Sequence, residues 1–216
     1  MKTLLSDLKT GLFLTLVLIV VCCVAYPAAV WAAGRALFPA KADGSLIVDK
    51  SGAVVGSALL AQNFASDKYF QPRPSAAGTG YDSTSSSGTN YGPTSAKLAN
   101  GSHAKDAKGK DVDDPNNFDG IKDLVAAYRA SNGLKASDPV PADAVTRSAS
   151  GLDPHISVAN ALLQSARVAN ARHAPVESVE ALIPRFTQER DLGVFGEPGV
   201  NVLLLNLALD RDFPAR

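Results

Sequence analysis

The densest group of residues that could do chemistry lies between Ser150 and Ser157, in the sequence SGLDPHIS. A serine, a histidine and an aspartate can act together as nucleophile, base and orienting carboxylate. Here the three residue types are too close together, at a predicted helix start, to converge as a catalytic triad. The pattern instead favours a helix that begins with Asp153 as an acidic cap and Pro154 at its first position, with His155 hydrogen-bonded in the first turn.

Residues that could bind a metal ion are scattered along the chain. The three histidines are His103, His155 and His173. A zinc site needs three or four converging ligands, and a calcium loop needs a regular spacing that Asp113, Asp114 and Asp119 lack. Both cysteines, Cys22 and Cys23, lie in an apolar stretch. The sequence therefore predicts no catalytic residue, no metal site and no firmly bound cofactor.

The charge of the chain argues against a role in binding nucleic acids. Its 21 Lys and Arg residues are balanced by 21 Asp and Glu residues, for a formal net charge of +0. Binding to phosphates needs an excess of basic residues on one face. The longest mixed-charge run, residues 105–114, alternates in sign and would form no basic patch. We therefore expect no nucleic-acid partner.

The N-terminal part contains a nearly all-apolar stretch without a charged residue, from Thr10 to Gly34. A helix needs about 20 apolar residues to cross the hydrocarbon core of a membrane, so this stretch is long enough. The alternative is a cleaved signal peptide, whose apolar region usually has only about 7–15 residues. We therefore predict a retained transmembrane helix over residues 10–34.

Charges on either side of this helix bear on its orientation. Lys2 and Lys9 precede it, and Arg35 follows it. Because positively charged residues are enriched on the cytoplasmic side of membrane helices, we predict a cytoplasmic N-terminus. Residues 1–9 then form a short cytoplasmic segment, and residues 35–216 form an extracytoplasmic (periplasmic) domain.

Small residues recur every four positions in the second half of the helix, at Ala25, Ala29 and Ala33. Small side chains at this spacing let a second membrane helix approach closely. The spacing therefore indicates a face that packs against the membrane helix of a partner. The same alanines would also be compatible with simple filling of a helix.

The remainder of the chain predicts an α+β fold. Residues 44–56 are typical of a β-hairpin whose turn is Asp49-Lys50-Ser51-Gly52. Residues 57–70 predict a second strand or a short helix, and residues 75–118 predict a polar loop. Apolar spacing and cap signals predict helices over residues 118–131, 153–172, 175–186 and 200–209. We therefore expect one N-terminal transmembrane helix and a single extracytoplasmic domain with a β-hairpin and about three to four helices.

Caps and buried faces can also be predicted for the first two of these helices. Asp119 is the predicted cap of the first helix. The residues predicted to face inward from the second helix are Ile156, Ala159, Leu163, Ala166, and Val168 or Ala169.

An ordered set of short motifs carries a resemblance to a known family. The motifs are Gln62-Asn63-Phe64, residues 69–76, 87–94, 139–146, 150–157 and 193–198, and Asn201 to Asp210. In this order and at this spacing, the set resembles the C subunit of the bacterial Kdp potassium-transporting ATPase over nearly the whole chain. The positions that the resemblance assigns to the family's motifs are Arg73, Pro74, Gly92, Pro93, Asp153, Pro154, His155, Asn201 and Asn206. Residues 97–117 look like an insertion relative to shorter family members.

The resemblance implies an accessory, non-catalytic subunit of an ATP-driven complex for high-affinity potassium uptake in the bacterial inner membrane. Its partners would be a channel-like potassium-translocating subunit, a P-type ATPase subunit and a small single-helix subunit. ATP and potassium would be handled by these partners. In the family, the C subunit stabilises assembly and is proposed to act as a catalytic chaperone that raises the ATP affinity of the pump subunit.

In that family proposal, Gln164 matches the glutamine that is assigned to the nucleotide. With a cytoplasmic N-terminus, however, Gln164 would lie on the side of the membrane opposite to cytoplasmic ATP. An effect on ATP affinity would then require coupling through the complex. The other interpretation of Gln164 is a polar position on its helix. The alternative function for the chain is a membrane-anchored extracytoplasmic hydrolase or binding protein.

Overall fold

The computed structural model describes residues 2–114 and 116–214. Met1 and residues 215–216, the ends of the predicted cytoplasmic segment and of the predicted outer domain, lie outside the described residues. The chain divides after Ser57 into two compact units. Helices and small antiparallel sheets make up both, which confirms the predicted α+β class.

The N-terminal unit begins with one long helix. It consists of α1 (Lys2–Ile19), a π-helical segment (Val20–Ala25) and α2 (Tyr26–Leu37). Within it, the 35 residues from Thr3 to Leu37 form a helix that is long and apolar enough to cross a membrane.

The π-helical segment has a local cause in the sequence. Pro27 lacks an N–H group, and its ring would clash with the carbonyl group four residues earlier. The Tyr26 N–H accordingly donates to the Val21 carbonyl group, five residues back. The wider turn accommodates the proline without breaking the helix.

A short helix, α3 (Pro39–Ala42), leads into the predicted hairpin. Strands β1 (Leu46–Val48) and β2 (Val54–Ser57) pair antiparallel. The Asp49 carboxylate accepts hydrogen bonds from the backbone N–H groups of Ser51 and Ala53. Gly52 adopts a φ of 84°, a value that glycine reaches without strain. These contacts confirm the hairpin and its turn.

The C-terminal unit combines short helices with a three-stranded sheet. Its helices are α4 (Ala96–Asn100), α5 (Ile121–Ser131), α6 (Ala142–Val145), α7 (Val158–Arg172), α8 (Val176–Glu180) and α9 (Val202–Asp212), with a 3-10 turn at Ile183–Phe186. Its strands are β3 (His155–Ser157), β4 (Thr187–Gln188) and β5 (Gly199–Asn201). The strand order is β3-β5-β4, and both pairings are antiparallel.

Strands β3 and β5 correct two of the predicted helix starts. Each strand runs directly into a helix, and the two strands pair with each other. His155 therefore lies on a strand rather than in the first turn of a helix. Ser157 and Asn201 are the caps, because their side chains accept hydrogen bonds from the N–H groups of Asn160 and Leu204.

Other predicted boundaries also change. Helix α5 begins at Ile121, and the Asp123 carboxylate accepts the Gly120 N–H at 2.9 Å, so Asp119 is not its cap. After β2 ends at Ser57, the segment up to Phe70 is neither strand nor helix. The helix predicted over 175–186 is instead α8 followed by the 3-10 turn.

The main core lies between α7, α9 and the sheet. Its largest fully buried apolar side chains are Phe70, Ile156, Val168, Val179, Ile183, Val200, Val202, Leu205 and Leu209. A smaller cluster around Tyr128, Ala144 and Val145 packs α5 and α6 against Leu163 of α7. Helix α7 is therefore enclosed on two sides.

Candidate functional site

Gln164 lies in the middle of α7 and is only 1% exposed. Its amide oxygen accepts the N–H of Gln71 at 2.8 Å and a guanidinium N–H of Arg167 at 2.8 Å. Its amide nitrogen donates to the Gln71 carbonyl oxygen at 3.1 Å and to Asn160 Oδ1 at 2.9 Å. Both N–H groups and the oxygen of this side chain are thus used within the protein.

The side-chain amide of Asn206 is also buried, and it binds the backbone of the residue that precedes Gln71 in the same way. Asn206 of α9 accepts the Phe70 N–H at 2.9 Å and donates to the Phe70 carbonyl oxygen at 2.9 Å. Phe70 and Gln71 belong to a segment that is neither helix nor strand. The two side chains replace the hydrogen bonds that a neighbouring strand would supply. We call Gln164 and Asn206 the amide clamp.

Two arginines of α7 bind the backbone of residues 67–69, which precede the two residues held by the amide clamp. Arg167 donates to the carbonyl oxygens of Asp67 and Tyr69 at 2.9 and 3.1 Å. Arg172 donates to that of Lys68 at 2.6 Å. Each residue from 67 to 71 therefore has a backbone hydrogen bond to a side chain of α7 or α9.

The clamp continues into a polar network toward α5 and α6. Asn160 Oδ1 accepts the hydroxyl group of Tyr128 at 2.8 Å, and its Nδ2 donates to the Asp143 carboxylate at 2.9 Å. The other oxygen of Asp143 accepts the Ser157 hydroxyl at 2.9 Å. Burial, together with the nearby Asp143 carboxylate, raises the pKa of Tyr128, so its hydroxyl stays protonated.

A cleft of about 440 Å³ opens beside this network. Its walls include Pro74, Tyr81, Tyr128, Asn160 and Gln164. The Tyr81 hydroxyl donates to the Arg73 carbonyl oxygen at 2.9 Å, and burial raises the Tyr81 pKa to about 12. In residues 2–114 and 116–214, every buried side-chain nitrogen and oxygen atom has a hydrogen-bond partner. The polar groups of the cleft therefore hold the fold together.

The motif residues Arg73, Asp153 and His155 are brought together. The Arg73 guanidinium lies 3.1 Å from the Asp153 carboxylate, which also accepts the His155 N–H at 3.0 Å. Burial opposes ionisation of Asp153, but the hydrogen bonds from His155 and Arg73 outweigh it and hold its pKa below the usual value. The Ser157 hydroxyl is bonded to Asp143 instead, so the serine and the histidine of this motif contact different carboxylates.

The remaining predicted positions have separate places. The Pro154 carbonyl oxygen accepts the Val202 N–H, and the Asn201 side chain donates to the Ala58 carbonyl oxygen at 2.8 Å. Gly92 and Pro93 lie exposed in the polar loop. In the N-terminal unit, the side chains of Ala25, Ala29 and Ala33 are exposed.

Sequence reasoning missed most of the network around Gln164. Asn160, Gln164 and Arg167 recur at spacings of four and three residues along one helix. Polar residues at these spacings lie near one face, which indicates a buried polar stripe. Arg172, five residues beyond Arg167, lies off this stripe, and the sequence gives no such signal for it.

Together these features define a chain with one helix suited to a membrane and a small α+β unit whose buried polar side chains hold its own backbone. The chain belongs to the family of K+-transporting ATPase c chains, KdpC, whose model matches residues 8–211. This confirms the resemblance seen in the sequence motifs.

Similar proteins extend over almost the whole chain. The potassium-transporting ATPase KdpC subunit of Mycobacterium tuberculosis is 46% identical over 205 residues, which cover 95% of this chain and 98% of that relative. The KdpC subunit of Rhodospirillum rubrum is 45% identical over 210 residues, 97% of this chain and 98% of the relative. That of Myxococcus xanthus is 46% identical over 208 residues, 96% and 89% of the two chains.

Proposed function

We propose that this chain is an accessory, non-catalytic subunit that stabilises an ATP-driven complex for high-affinity potassium uptake. The observation that carries the proposal is the family match over nearly the full length, with relatives named as subunits of a potassium-transporting ATPase. The internal use of the polar groups around the cleft supports a structural role. Its partners are a channel-like potassium-translocating subunit, a P-type ATPase subunit and a small single-helix subunit.

In this proposal the long N-terminal helix crosses the bacterial inner membrane once, and the C-terminal unit lies outside the cytoplasm. The support is the length and apolar character of the helix, with Lys2 and Lys9 at its N-terminal end, ahead of the apolar residues 10–34. Alkaline phosphatase fused after Pro214 would be active in cells only if this end is extracytoplasmic. Inactive fusions with normal expression would contradict the orientation.

A catalytic chaperone effect on ATP affinity would then act through the complex rather than by direct contact. Gln164 is buried, and its amide is already hydrogen-bonded to Gln71, Asn160 and Arg167. Coupling between distant sites requires that the subunit contacts differ between two states of the complex. We therefore assign Gln164 to the stability of the C-terminal unit, and any change in ATP affinity to assembly.

The test of the proposed function is co-purification. The chain, tagged at its C-terminus, is isolated from the membranes of its own bacterium in mild detergent, and the bound proteins are identified by mass spectrometry. A potassium-translocating subunit and a P-type ATPase subunit are expected in comparable amounts. Recovery of the chain alone, or as a shortened soluble protein, would overturn the proposal.

The face formed by Ala25, Ala29 and Ala33 is proposed to pack against a partner helix. Replacing Ala29 with leucine adds a branched side chain where two backbones approach closely, so recovery of the complex should fall about tenfold, equivalent to about 1.4 kcal/mol. Val30→Leu, about 100° around the helix, should leave recovery unchanged. Equal recovery of both variants would show that the alanines only fill the helix.

An exposed apolar loop of the C-terminal unit is proposed to contact another subunit outside the membrane. Leu192, Val194 and Phe195 are 89%, 67% and 64% exposed. Leu192 has a φ of 54°, a left-handed conformation that costs a leucine about 1–2 kcal/mol. Two backbone hydrogen bonds of 2.9 Å between Asp191 and Phe195 hold the loop in this form. A strained backbone that displays apolar side chains is typical of a binding loop.

Replacing both Leu192 and Phe195 with serine should reduce recovery of the complex at least about tenfold, because burial of each side chain contributes about 1.5–3 kcal/mol. The melting temperature of the isolated chain should not change, since both side chains are exposed. Leu162→Ser, at an exposed position of α7, is the matched control. Undiminished recovery of the double variant would exclude this loop from the interface.

A further inference from the structure

A backbone bridge joins the polar segment to the residues just before α5. Ser102 and Phe118 exchange two N–H to carbonyl hydrogen bonds of 2.8 Å each. Next to this bridge the backbones of Gly101 and Gly120 approach so closely that a Cβ atom on Gly120 would lie 2.1 Å from the Gly101 nitrogen. The two segments can approach this closely because both residues are glycines. The close approach brings the side chains that follow Gly101 near those that flank Gly120.

Three residues with metal-binding side chains meet beside this crossing. The Nε2 atom of His103 lies 3.3 Å from Asp123 Oδ2 and 3.6 Å from Asp119 Oδ1. One ligand atom from each residue lies within 4.8 Å of the other two. Among the described residues, 2–114 and 116–214, this is the one place where three or more His, Cys, Asp or Glu side chains come close enough to share a metal ion.

These separations match the edge of a zinc coordination polyhedron. Zinc binds histidine nitrogen and carboxylate oxygen at about 2.0–2.2 Å in tetrahedral geometry, so two of its ligands are about 3.3–3.6 Å apart. An imidazole ligand favours zinc and related transition ions over potassium, calcium and magnesium, which prefer oxygen alone. Three protein ligands would leave the fourth position to water.

The surroundings orient two of the three ligands. The Gly120 N–H donates a hydrogen bond of 2.9 Å to the Asp123 carboxylate and so fixes the position of this carboxylate. The guanidinium of Arg147 donates to the Asp119 backbone carbonyl at 3.0 Å and stacks on Phe118. Lys122 lies near the Asp123 carboxylate, and Arg147 lies near that of Asp119.

We propose that His103, Asp119 and Asp123 form a binding site for a divalent transition-metal ion of the zinc class. The ion ties the polar segment 97–117 to the start of α5. All three ligands belong to this chain, so zinc binding needs no partner subunit.

The test is zinc binding by the full-length chain, purified in mild detergent with a tag that contains no histidine and freed of metal by a chelator. Competition with a chromophoric zinc chelator should give one zinc ion per chain and a higher melting temperature, since a ligand that binds only the folded state stabilises it. His103→Gln and Asp119→Asn should each weaken binding at least about tenfold, the range seen even for outer-shell substitutions.

His155→Gln is the matched control, because His155 also lies beside an aspartate, with its Nδ1 3.7 Å from Asp153 Oδ1, but among the described residues it belongs to no such group of three. It should bind zinc like the wild type. All variants are compared in chelator for their melting temperature, so that a folding defect is recognised. Equal zinc affinity of the wild type and His103→Gln, or no zinc uptake by the folded wild type, would overturn the proposal and leave an ordinary histidine–aspartate contact.

Discussion

Arg172→Met is expected to lower the free energy of unfolding of the C-terminal unit by about 3 kcal/mol, because it leaves polar partners unpaired. The Arg172 side chain is completely buried. It donates to the carbonyl oxygens of Lys68 and Phe213 at 2.6 and 2.8 Å, and to the Asp210 carboxylate at 2.8 Å. Asp210 is half exposed and remains hydrated without its partner, so the two carbonyl groups carry most of the cost.

Urea unfolding of the full-length chain in detergent, followed by far-ultraviolet circular dichroism, measures this effect. Arg185→Met is the matched control: Arg185 is more than half exposed and lies 3.8 Å from Asp212, so its loss should change the free energy by less than about 0.5 kcal/mol. Arg172→Lys should fall between, because lysine keeps the charge but not the planar set of donors. Equal effects of the two methionine variants would contradict the role of Arg172.

Local patterns predicted the parts of the fold that depend on neighbouring residues. The hairpin at 44–56 follows from a turn whose aspartate and glycine act within four residues of each other. The ends of α5 and α7 at residues 131 and 172 also agree with the structure. Such elements require no knowledge of distant segments.

Strands β3 and β5 could not be predicted in this way. Each has three residues, and each exists because it pairs with the other from a distant part of the chain. Taken alone, their residues merge into the helices that follow, which is why both helices were predicted to start too early. Tertiary pairing here overrides the local signal.

The buried face of α7 was misjudged for a different reason. Ala159 and Ala166 were predicted to face inward but are exposed, whereas Asn160 and Gln164 are buried. A prediction based on apolar spacing alone assigns these alanines to the buried face of α7. The buried face in fact also carries polar side chains, among them Gln164, which holds Gln71. The resemblance singled out Gln164, but its contacts became visible only in the structure.

Gln164→Leu should destabilise the C-terminal unit by about 3 kcal/mol. It leaves the N–H and carbonyl groups of Gln71 without their partner in a buried place, at about 1–3 kcal/mol for each group. Asn206→Leu should have a similar effect through Phe70. Because both side chains hold adjacent residues of one segment, the double variant should lose less than the sum of the single losses. Urea unfolding checks all three, with Gln188→Leu, at an exposed position, as the control.

The same pair of variants separates a structural role of Gln164 from a direct contact with nucleotide. Asn206 performs the same clamping on the neighbouring residue but has no part in the family proposal for ATP. If Gln164 acts through the stability of its unit, both variants should change the ATP affinity of the purified complex equally, in proportion to the loss of assembled complex. If Gln164 touches nucleotide, Gln164→Leu alone should weaken ATP binding in the complex that remains assembled. Equal effects would place the influence of this subunit on ATP in the contacts between subunits, where coupling energies of about 1–3 kcal/mol are ordinary.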